Sequence, residues 1–456
     1  MSFSDVVAAD ESYNFNLDST IMGTIKHIVG SVAGILVFTD IGIWLLTGSK
    51  TAPTATDIDA IPQTSVGSNS LTPIIIDNDI LYMELYNQTV RHLKFNDYSR
   101  NFGGQDVTLL AEDLVAASQE YISWAYLHYP YKVINAVATE GWMLSGTVER
   151  EQEVFAWWKQ TTEGNFLANI TLSEDDRPTE YVLVERNWNN EKIVTLEYQH
   201  NRRDSTRWTH CGLDQSLALP KTIGTVTLVY NNDALTATSA FFSAGDVGKY
   251  LLIDKGIARI TAYTSPTEVT IEIVDPIYNW DTENLRVYAR AYAGTWFMTE
   301  ETSQVILPYN MRPGQVTVYL NGEVDHNYAE VDGKVTFSSP AHVGWIGLPY
   351  TCIAVSLPLQ VNGAIIEESV KKILSGGLRL YDTRGLKVGT SFDDLYPIED
   401  AYHEVETTEK ILTSGIEKVH VSSDWDESIS LYMVSTDPVP THITALVIHA
   451  EVGDEI

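Results

Sequence analysis

Carboxylates beside tryptophans are the strongest candidate for bond chemistry in this chain. Glu149, Glu151 and Glu153 precede Trp157 and Trp158. Glycosidases use two carboxylates about 5–10 Å apart, and tryptophan rings can stack on a sugar. On a strand, however, the three glutamates would share one face, and the same pattern is expected of a sheet face that is simply exposed to solvent. The two tryptophans would point to opposite faces and could not stack on one sugar. The pattern therefore favours a solvated sheet face over a glycan-cleaving site.

Other residues that could bind a metal are poorly spaced for it. Asp77–Asp79 and Glu174–Asp176 could hold Ca²⁺ through oxygen ligands, but both lack the spacing of a calcium loop and fall where turns are expected. His200, His210 and Cys211 have no fourth ligand at a spacing useful for zinc. No phosphate-binding loop, dinucleotide fingerprint, nucleophile elbow or zinc-protease motif occurs in the sequence. We therefore predict no catalytic residues, no metal site, no cofactor and no enzymatic activity.

The charge balance restricts the partners of the chain. It has 29 basic and 61 acidic residues, a formal net charge of −32, which opposes tight binding to phosphates. Such a surface would suit a conduit wall that DNA passes without sticking, or it is a solvated surface with no such role. Arg202, Arg203 and Arg207 form the one dense cationic stretch. They could contact DNA, but a salt bridge to an acidic neighbouring subunit is the better prediction.

The composition is that of an ordinary globular protein. The chain has 456 residues, 44% of them hydrophobic, and a mean hydropathy of −0.08, which predicts two or three domains. Cys211 and Cys352 lie far apart and outside any CxxC pattern, so we expect two thiols and no disulfide framework.

The acidic N-terminus predicts no secretion signal. Ile28–Leu46 is apolar, but it contains Asp40 and three glycines, so short strands are a better prediction than a membrane span.

The elements that must position these residues are predicted to be strands. Alternating patterns with turn residues predict four hairpins: Ile35–Phe38 with Ile43–Leu46, Ile80–Leu85 with Thr89–Phe95, Val133–Ala138 with Trp142–Val148, and Tyr181–Arg186 with Ile193–Tyr198. The predicted turns are Asn87-Gln88 in the second pair and Asn189-Asn190 in the fourth, and Asn321-Gly322 is predicted as a further hairpin turn. A spacing of about forty to fifty residues between such pairs is typical of propeller blades. Helices are predicted at Leu109–Ser123 and Ile365–Leu374 alone. The predicted fold is all-β and β-propeller-like, with inserted small β-domains and a C-terminal β region. The predicted parts are residues 1–203, 204–345 and 346–456.

A series of motifs along residues 25 to 450 resembles one protein family. The positions that carry the resemblance most strongly are Gly141, Leu144, Thr147, Glu151, Gln152, Val154, Trp157, Arg186 and Glu197. Further matching segments are Asp106–Leu110, Thr162–Phe166, Leu213–Ser216, His342–Tyr350 and Asp437–Thr441. Each match is short, but their order and spacing together resemble the tail nozzle (tail tubular) proteins of short-tailed bacteriophages.

The resemblance implies a structural role in the virion tail. It implies a homo-oligomeric ring, most simply a hexamer, around a channel that conducts genomic DNA. The ring would contact the portal-adaptor protein and tail fibres or spikes, with no membrane span. Members of the family usually have a longer N-terminal part than this chain. Either the propeller is small and incomplete, or another chain supplies the missing strands. The alternatives are a receptor-recognition or glycan-cleaving tail protein and a propeller scaffold for other proteins.

Overall fold

The structure is a computed structural model in which the chain divides into two compact units, Met1–Gln199 (unit 1) and His200–Ile456 (unit 2). The described residues are 23–49, 53–54, 57–96, 98–118, 120–149, 154–174, 177–188, 190–200, 208–231, 233–253, 256–275, 277, 291–359, 370–398, 401–402, 410–419, 421 and 423–453.

Unit 1 begins with two antiparallel sheets, each built from four strands that are consecutive in the chain. The first sheet contains β1 (Ile25–Ser31), β2 (Gly34–Thr39), β3 (Ile43–Thr47) and β4 (Asp59–Thr64). The second sheet contains β5 (Ile74–Ile76), β6 (Asp79–Met83), β7 (Val90–Asn96) and β8 (Asn101–Asp106). Sheets of this kind are the repeating unit of a β-propeller.

Two more sheets complete unit 1. They follow a 3₁₀ turn (Leu109–Ala111) and a short helix α1 (Glu112–Val115). The third sheet contains β9 (Tyr121–Leu127), β10 (Val133–Ala138), β11 (Met143–Glu149) and β12 (Val154–Gln160). The fourth sheet has three strands, β13 (Asn165–Glu174), β14 (Arg177–Trp188) and β15 (Glu191–Tyr198).

The predicted helix at Leu109–Ser123 is wrong over much of its length. Of its described residues, Leu109–Val115 is helical, and the chain enters β9 at Tyr121. Strand β9 pairs along its whole length with β10. A short apolar run does not distinguish a helix from a strand by its pattern, and here the hydrogen bonds to β10 decide in favour of the strand.

The four sheets of unit 1 pack face to face in chain order. Phe38 of the first sheet meets Tyr82 of the second with ring centroids 5.5 Å apart. Leu144 of the third sheet belongs to the cluster that the second sheet also lines, and Val137 belongs to the cluster shared with the fourth. Strand β6 is therefore buried on both faces along its whole length. This explains why Ile80–Met83 is a continuous apolar run, without the alternation of a half-solvated strand.

All four predicted hairpins are confirmed. Ile35 pairs with Leu46, β6 pairs with β7, β10 pairs with β11, and β14 pairs with β15. Two of the turns use asparagine as predicted, since Asn87 and Asn190 adopt φ values of 59° and 66°. Asparagine tolerates this left-handed region better than most residues.

Unit 2 begins with a six-stranded and an eight-stranded sheet. Their strands are β16 (Asp214–Ala218), β17 (Lys221–Gly224), β18 (Leu228–Asn231), β19 (Ala234–Ala237), β20 (Tyr250–Ile253), β21 (Gly256–Ser265), β22 (Glu268–Asp275), β23 (Ala291–Tyr292), β24 (Trp296–Thr299), β25 (Thr302–Ile306), β26 (Gln315–Leu320), β27 (Glu323–Val331), β28 (Lys334–Ala341) and β29 (Gly344–Leu348), with a 3₁₀ turn at Ala244–Asp246. Strands β16 and β29 pair, so this segment begins and ends in one sheet. The predicted turn at Asn321-Gly322 joins β26 to β27.

The rest of unit 2 forms smaller sheets. Its strands are β30 (Cys352–Val355), β31 (Lys371–Thr383), β32 (Leu386–Ser391), β33 (Asp394–Pro397), β34 (Ala401–Tyr402), β35 (Lys410–Ile411), β36 (Thr413–Val419), β37 (Tyr432–Ser435) and β38 (Ile443–Val452). The predicted helix at Ile365–Leu374 is wrong where it is described, because Lys371–Leu374 begins β31, which pairs with β36 and β38. Residues 365–369 lie outside the described part.

The protein is all-β with β-propeller-like sheets, as the sequence predicted. The segment Ile28–Leu46 forms strands β1, β2 and β3. None of the described helical segments is long and apolar enough to cross a membrane. The division into parts at residues 1–203, 204–345 and 346–456 stays a prediction.

Gly146 shows how closely the third sheet is packed. A Cβ atom at Gly146 would overlap the ring of Trp157 on the neighbouring strand, whereas a Cβ atom at Gly30 would meet nothing within 4 Å. We expect Gly146→Ala to lower the free energy of unfolding by about 1–3 kcal/mol through overpacking. Gly30→Ala, the matched control in β1, should not lower it. Urea denaturation measures both, and equal effects would contradict the packing argument.

Candidate functional site

Two of the family-like positions, Arg186 and Glu197, form a buried ion pair. The Arg186 side chain is fully buried and that of Glu197 is 20% exposed. Arg186 Nε and Nη2 each donate to one carboxylate oxygen of Glu197 at 2.8 Å. The two residues lie on the same face of β14 and β15, with Thr195 between them, and the Thr195 hydroxyl donates to Glu197 at 2.5 Å. This two-pronged geometry is the strong form of a charge-assisted hydrogen bond.

The neighbouring Thr162–Phe166 motif packs on this pair. Arg186 Nη1 donates to the carbonyl of Glu163 at 2.8 Å. Gly164 has a φ of 141°, and a Cβ atom there would overlap the carbonyl of Glu185. Glycine is therefore required both by the backbone conformation and by the close approach of β14. The matched positions thus hold the fourth sheet onto the chain that leads into it.

Gly141 makes a second close approach in the same region. It has a φ of 85°, and a Cβ atom there would overlap the side chain of Asn165. Its carbonyl accepts a hydrogen bond from the backbone of Phe166 at 2.9 Å. The turn between β10 and β11 is thereby joined to the start of β13. The backbone conformation and this close approach both require glycine at the family-like position Gly141.

The other family-like positions are distributed through the third sheet. Leu144 is fully buried in the core shared with the second sheet. Thr147 donates to the carbonyl of Tyr131 at 2.9 Å, and Trp157 Nε1 donates to the carbonyl of Val107 at 2.8 Å. Val154 begins β12 and is 40% exposed. Glu151 and Gln152 lie outside the described residues.

The predicted basic stretch is not described either. Arg202, Arg203 and Arg207 all fall outside the described residues, so their contact with DNA or a neighbouring subunit stays a prediction. The adjacent Trp208 is buried, and its Nε1 donates to Asp275 at 2.5 Å.

A buried acid, Glu180, was missed by the sequence interpretation. Its residue is 1% exposed, and it accepts hydrogen bonds from the amides of Asn135 and of Asn169, the latter at 2.9 Å. Burial raises the pKa of Glu180 to about 7, although the two amide hydrogen bonds act in the opposite direction. Its position in the strand could have indicated this burial, since Glu180 lies on the same strand face as Val182 and Val184.

The same network joins two sheets. Asn169 of β13 also donates to the carbonyl of Asn135 in β10 at 2.8 Å and accepts from Ser123 of β9 at 2.7 Å. Asn135 Oδ1 is buried and has no hydrogen-bond partner within the described part of the chain. The polar network therefore fixes the register of the fourth sheet on the third.

The carboxylates considered for calcium or sugar chemistry have other partners. Asp79 is buried against His92, with Oδ2 and Nε2 2.9 Å apart, and Asp77 lies in the turn with a φ of 56°. Glu149 pairs with Lys132 at 3.0 Å, and Glu174 accepts from Tyr181 at 2.6 Å. Asp175, Asp176, Glu151 and Glu153 are outside the described residues. Among the residues that are described, no group of three or more His, Cys, Asp or Glu side chains is arranged for a metal ion.

The histidines and the cysteine considered for zinc lie near the start of unit 2. The His200 ring meets Trp345 edge-on at 5.1 Å. Cys211 Sγ lies 2.9 Å from Ser216 Oγ, and burial raises the pKa of this thiol. His342 begins the family-like segment His342–Tyr350, and its ring stacks on Tyr250 with ring centroids 3.9 Å apart. Burial lowers the pKa of His342 to about 4, so its ring is neutral at pH 7.

Comparisons with known proteins give little beyond this description. No protein-family model matches the chain, and no curated protein matches it. Among solved structures 60 chains match. One is a GH32 β-fructofuranosidase mutant from Bombyx mori in complex with sucrose, at 9% identity and a TM-score of 0.23, covering 93% of this chain and 91% of that one. A TM-score this low carries no argument about the activity of this protein.

Proposed function

We propose that the protein is a structural component of a short non-contractile phage tail, where it forms a ring-shaped nozzle. The observation that carries this proposal is the ordered series of family-like positions. Arg186 and Glu197 of that series meet as a buried pair, and Gly141 and Gly164 allow close approaches beside it. A shared set of sheet-to-sheet contacts is what a common scaffold would require, and no bond chemistry is needed to explain it.

The charge of the chain supports a physical mechanism. A net charge of −32 on a ring of several copies, six by the family resemblance, would place strongly negative surface around the channel. An acidic wall repels the DNA backbone, so the DNA slides without being held. Loops at the distal end would constrict the channel until the phage meets its host. In this proposal the ring retains the genome and then conducts it.

The test is the position and symmetry of the protein in the virion. Virions labelled with an antibody fragment against this chain, imaged and averaged along the tail axis, should show a ring of six labels below the portal adaptor. A label elsewhere on the particle would contradict the proposal. So would purified protein that forms a trimer and cleaves polysaccharide, because that result would establish the receptor-recognition alternative.

A further inference from the structure

The fourth sheet of unit 1 has one apolar face that is exposed to solvent. Its inner face, with Val182 and Val184, packs on the third sheet. Side chains alternate along a strand, so the outer face carries the residues between these. Its apolar members are Ile170, Leu172, Tyr181, Leu183, Val194, Leu196 and Tyr198. Leu196, near the centre, is 68% exposed, and Val194 and Ile170 are 56% and 55% exposed.

This outer face differs in charge from the rest of the chain. Its charged residues are Glu174, Arg177, Glu185 and Lys192, so its formal charge is 2 − 2 = 0, whereas the chain carries −32. Glu185 and Lys192 pair with each other at 2.9 Å. A contact surface without net charge keeps the like charges of two acidic copies out of the contact, which lowers their repulsion. Depletion of charge and enrichment in apolar and aromatic residues mark the core of protein interfaces.

The first sheet of unit 1 lies at the other end of the stack, and its outer face is apolar and partly exposed. Its inner face, with Leu36 and Phe38, packs on the second sheet. Its outer face carries Ile28, Ile35, Val37, Trp44, Leu46, Ala60 and Pro62. Ile28 is 66% exposed, Ile35, Trp44 and Leu46 are half-buried, and Val37 is buried. Unit 1 is therefore a stack of sheets with one apolar face at each end.

We propose that the outer face of the fourth sheet packs on the outer face of the first sheet of a second copy of this chain. The contact would repeat the face-to-face packing that already joins the sheets inside unit 1. It joins two different surfaces, so it is a head-to-tail interface, and such interfaces generate rings when the rotation closes. This inference rests on the ring of the proposed function and names the surfaces that build it.

Charge insertion tests the face. Leu196→Asp should weaken self-association about tenfold or more, because a carboxylate would be buried at the centre of the contact. The matched control is Ile306→Asp in β25, where the residue is 70% exposed. Analytical ultracentrifugation over a concentration series measures the association, and thermal unfolding verifies that both variants fold. Equal association of the two variants, or a wild-type protein that is monomeric at every concentration, would overturn the proposal.

Mixed cysteine variants test the pairing of the two faces. In a Cys352→Ser background, which removes the exposed thiol, Val194→Cys and Ile28→Cys are made in separate chains. Oxidised mixtures should give covalent dimers, and each variant alone should give far fewer. The proposal would be overturned if the mixture formed no more dimer than each variant alone. It would also be overturned if a chain carrying both cysteines formed the disulfide within itself. If Leu196→Asp protein still forms the ring on tails, this inference fails while the proposed function stands.

Discussion

Glu197→Ala is expected to lower the free energy of local opening of the fourth sheet by about 3–5 kcal/mol. The substitution removes the carboxylate that accepts two hydrogen bonds from the fully buried Arg186 guanidinium, and removal of one partner of a buried pair has an effect of this size. The hydrogen bond of Arg186 Nη1 to the Glu163 carbonyl does not involve Glu197 and is not removed by the substitution. Hydrogen exchange of peptides from β14 and β15, followed by mass spectrometry, measures the opening directly.

Two further variants separate the ion pair from general damage. The double variant Arg186→Met/Glu197→Leu should regain most of the loss, because apolar residues of similar volume can replace a buried pair. Glu185→Ala is the matched control on the same strand, since its partner Lys192 is 72% exposed and exposed pairs contribute little. If the double variant opens as easily as Glu197→Ala, the pair is not the source of the stability.

The local pairing of the chain was predictable, and the packing between sheets was less so. Asn87 and Asn190 marked turns because few other residues adopt a left-handed φ readily, and the flanking alternation then fixed the partner strands. The predicted helix Leu109–Ser123 is wrong at Tyr121–Ser123, which begins β9, since the sequence does not show that β10 offers this segment a free edge. A strand edge becomes available only through a neighbour elsewhere in the chain, so local pattern cannot reveal it.

In the candidate site, too, some residues could be identified from the sequence, but their contacts could not. Arg186 and Glu197 were identified by resemblance, but their contact depends on the register of β14 against β15. Glu180 was missed, because an acid on an alternating strand is ordinarily solvent-facing. Its burial follows from the third sheet lying over it, with Asn135 and Asn169 as its partners. Sequence alone gives the residue types on a face, and only the packing shows which face is covered.

The stability of the fourth sheet is expected to fall as the pH rises from 4.5 to 7, and Glu180→Gln should abolish this fall. The native pKa of Glu180 is raised to about 7 from its ordinary 4.5. Below pH 4.5 the side chain is protonated in both the folded and the unfolded states. Between the two values the unfolded chain releases the proton while the folded chain retains it, so folding loses about 3 kcal/mol in total. Above pH 7 the loss is constant.

Glu180→Gln should therefore be more stable than the wild type at pH 8 and nearly equal to it at pH 4.5. Asn135 Oδ1 has no hydrogen-bond partner among the described residues. If the Asn135 amide rotates by half a turn, the neutral amide of the new glutamine can donate to this oxygen. The glutamine can also still accept a hydrogen bond from Asn169. Glu185→Gln, on the opposite face of β14, is the control and should keep the wild-type pH dependence. Local opening of β13–β15, corrected for the intrinsic exchange rate at each pH, gives the comparison. Parallel curves for the wild type and Glu180→Gln would show that another group controls the pH response of this sheet, and Glu180 would then be ionised within the fold at neutral pH.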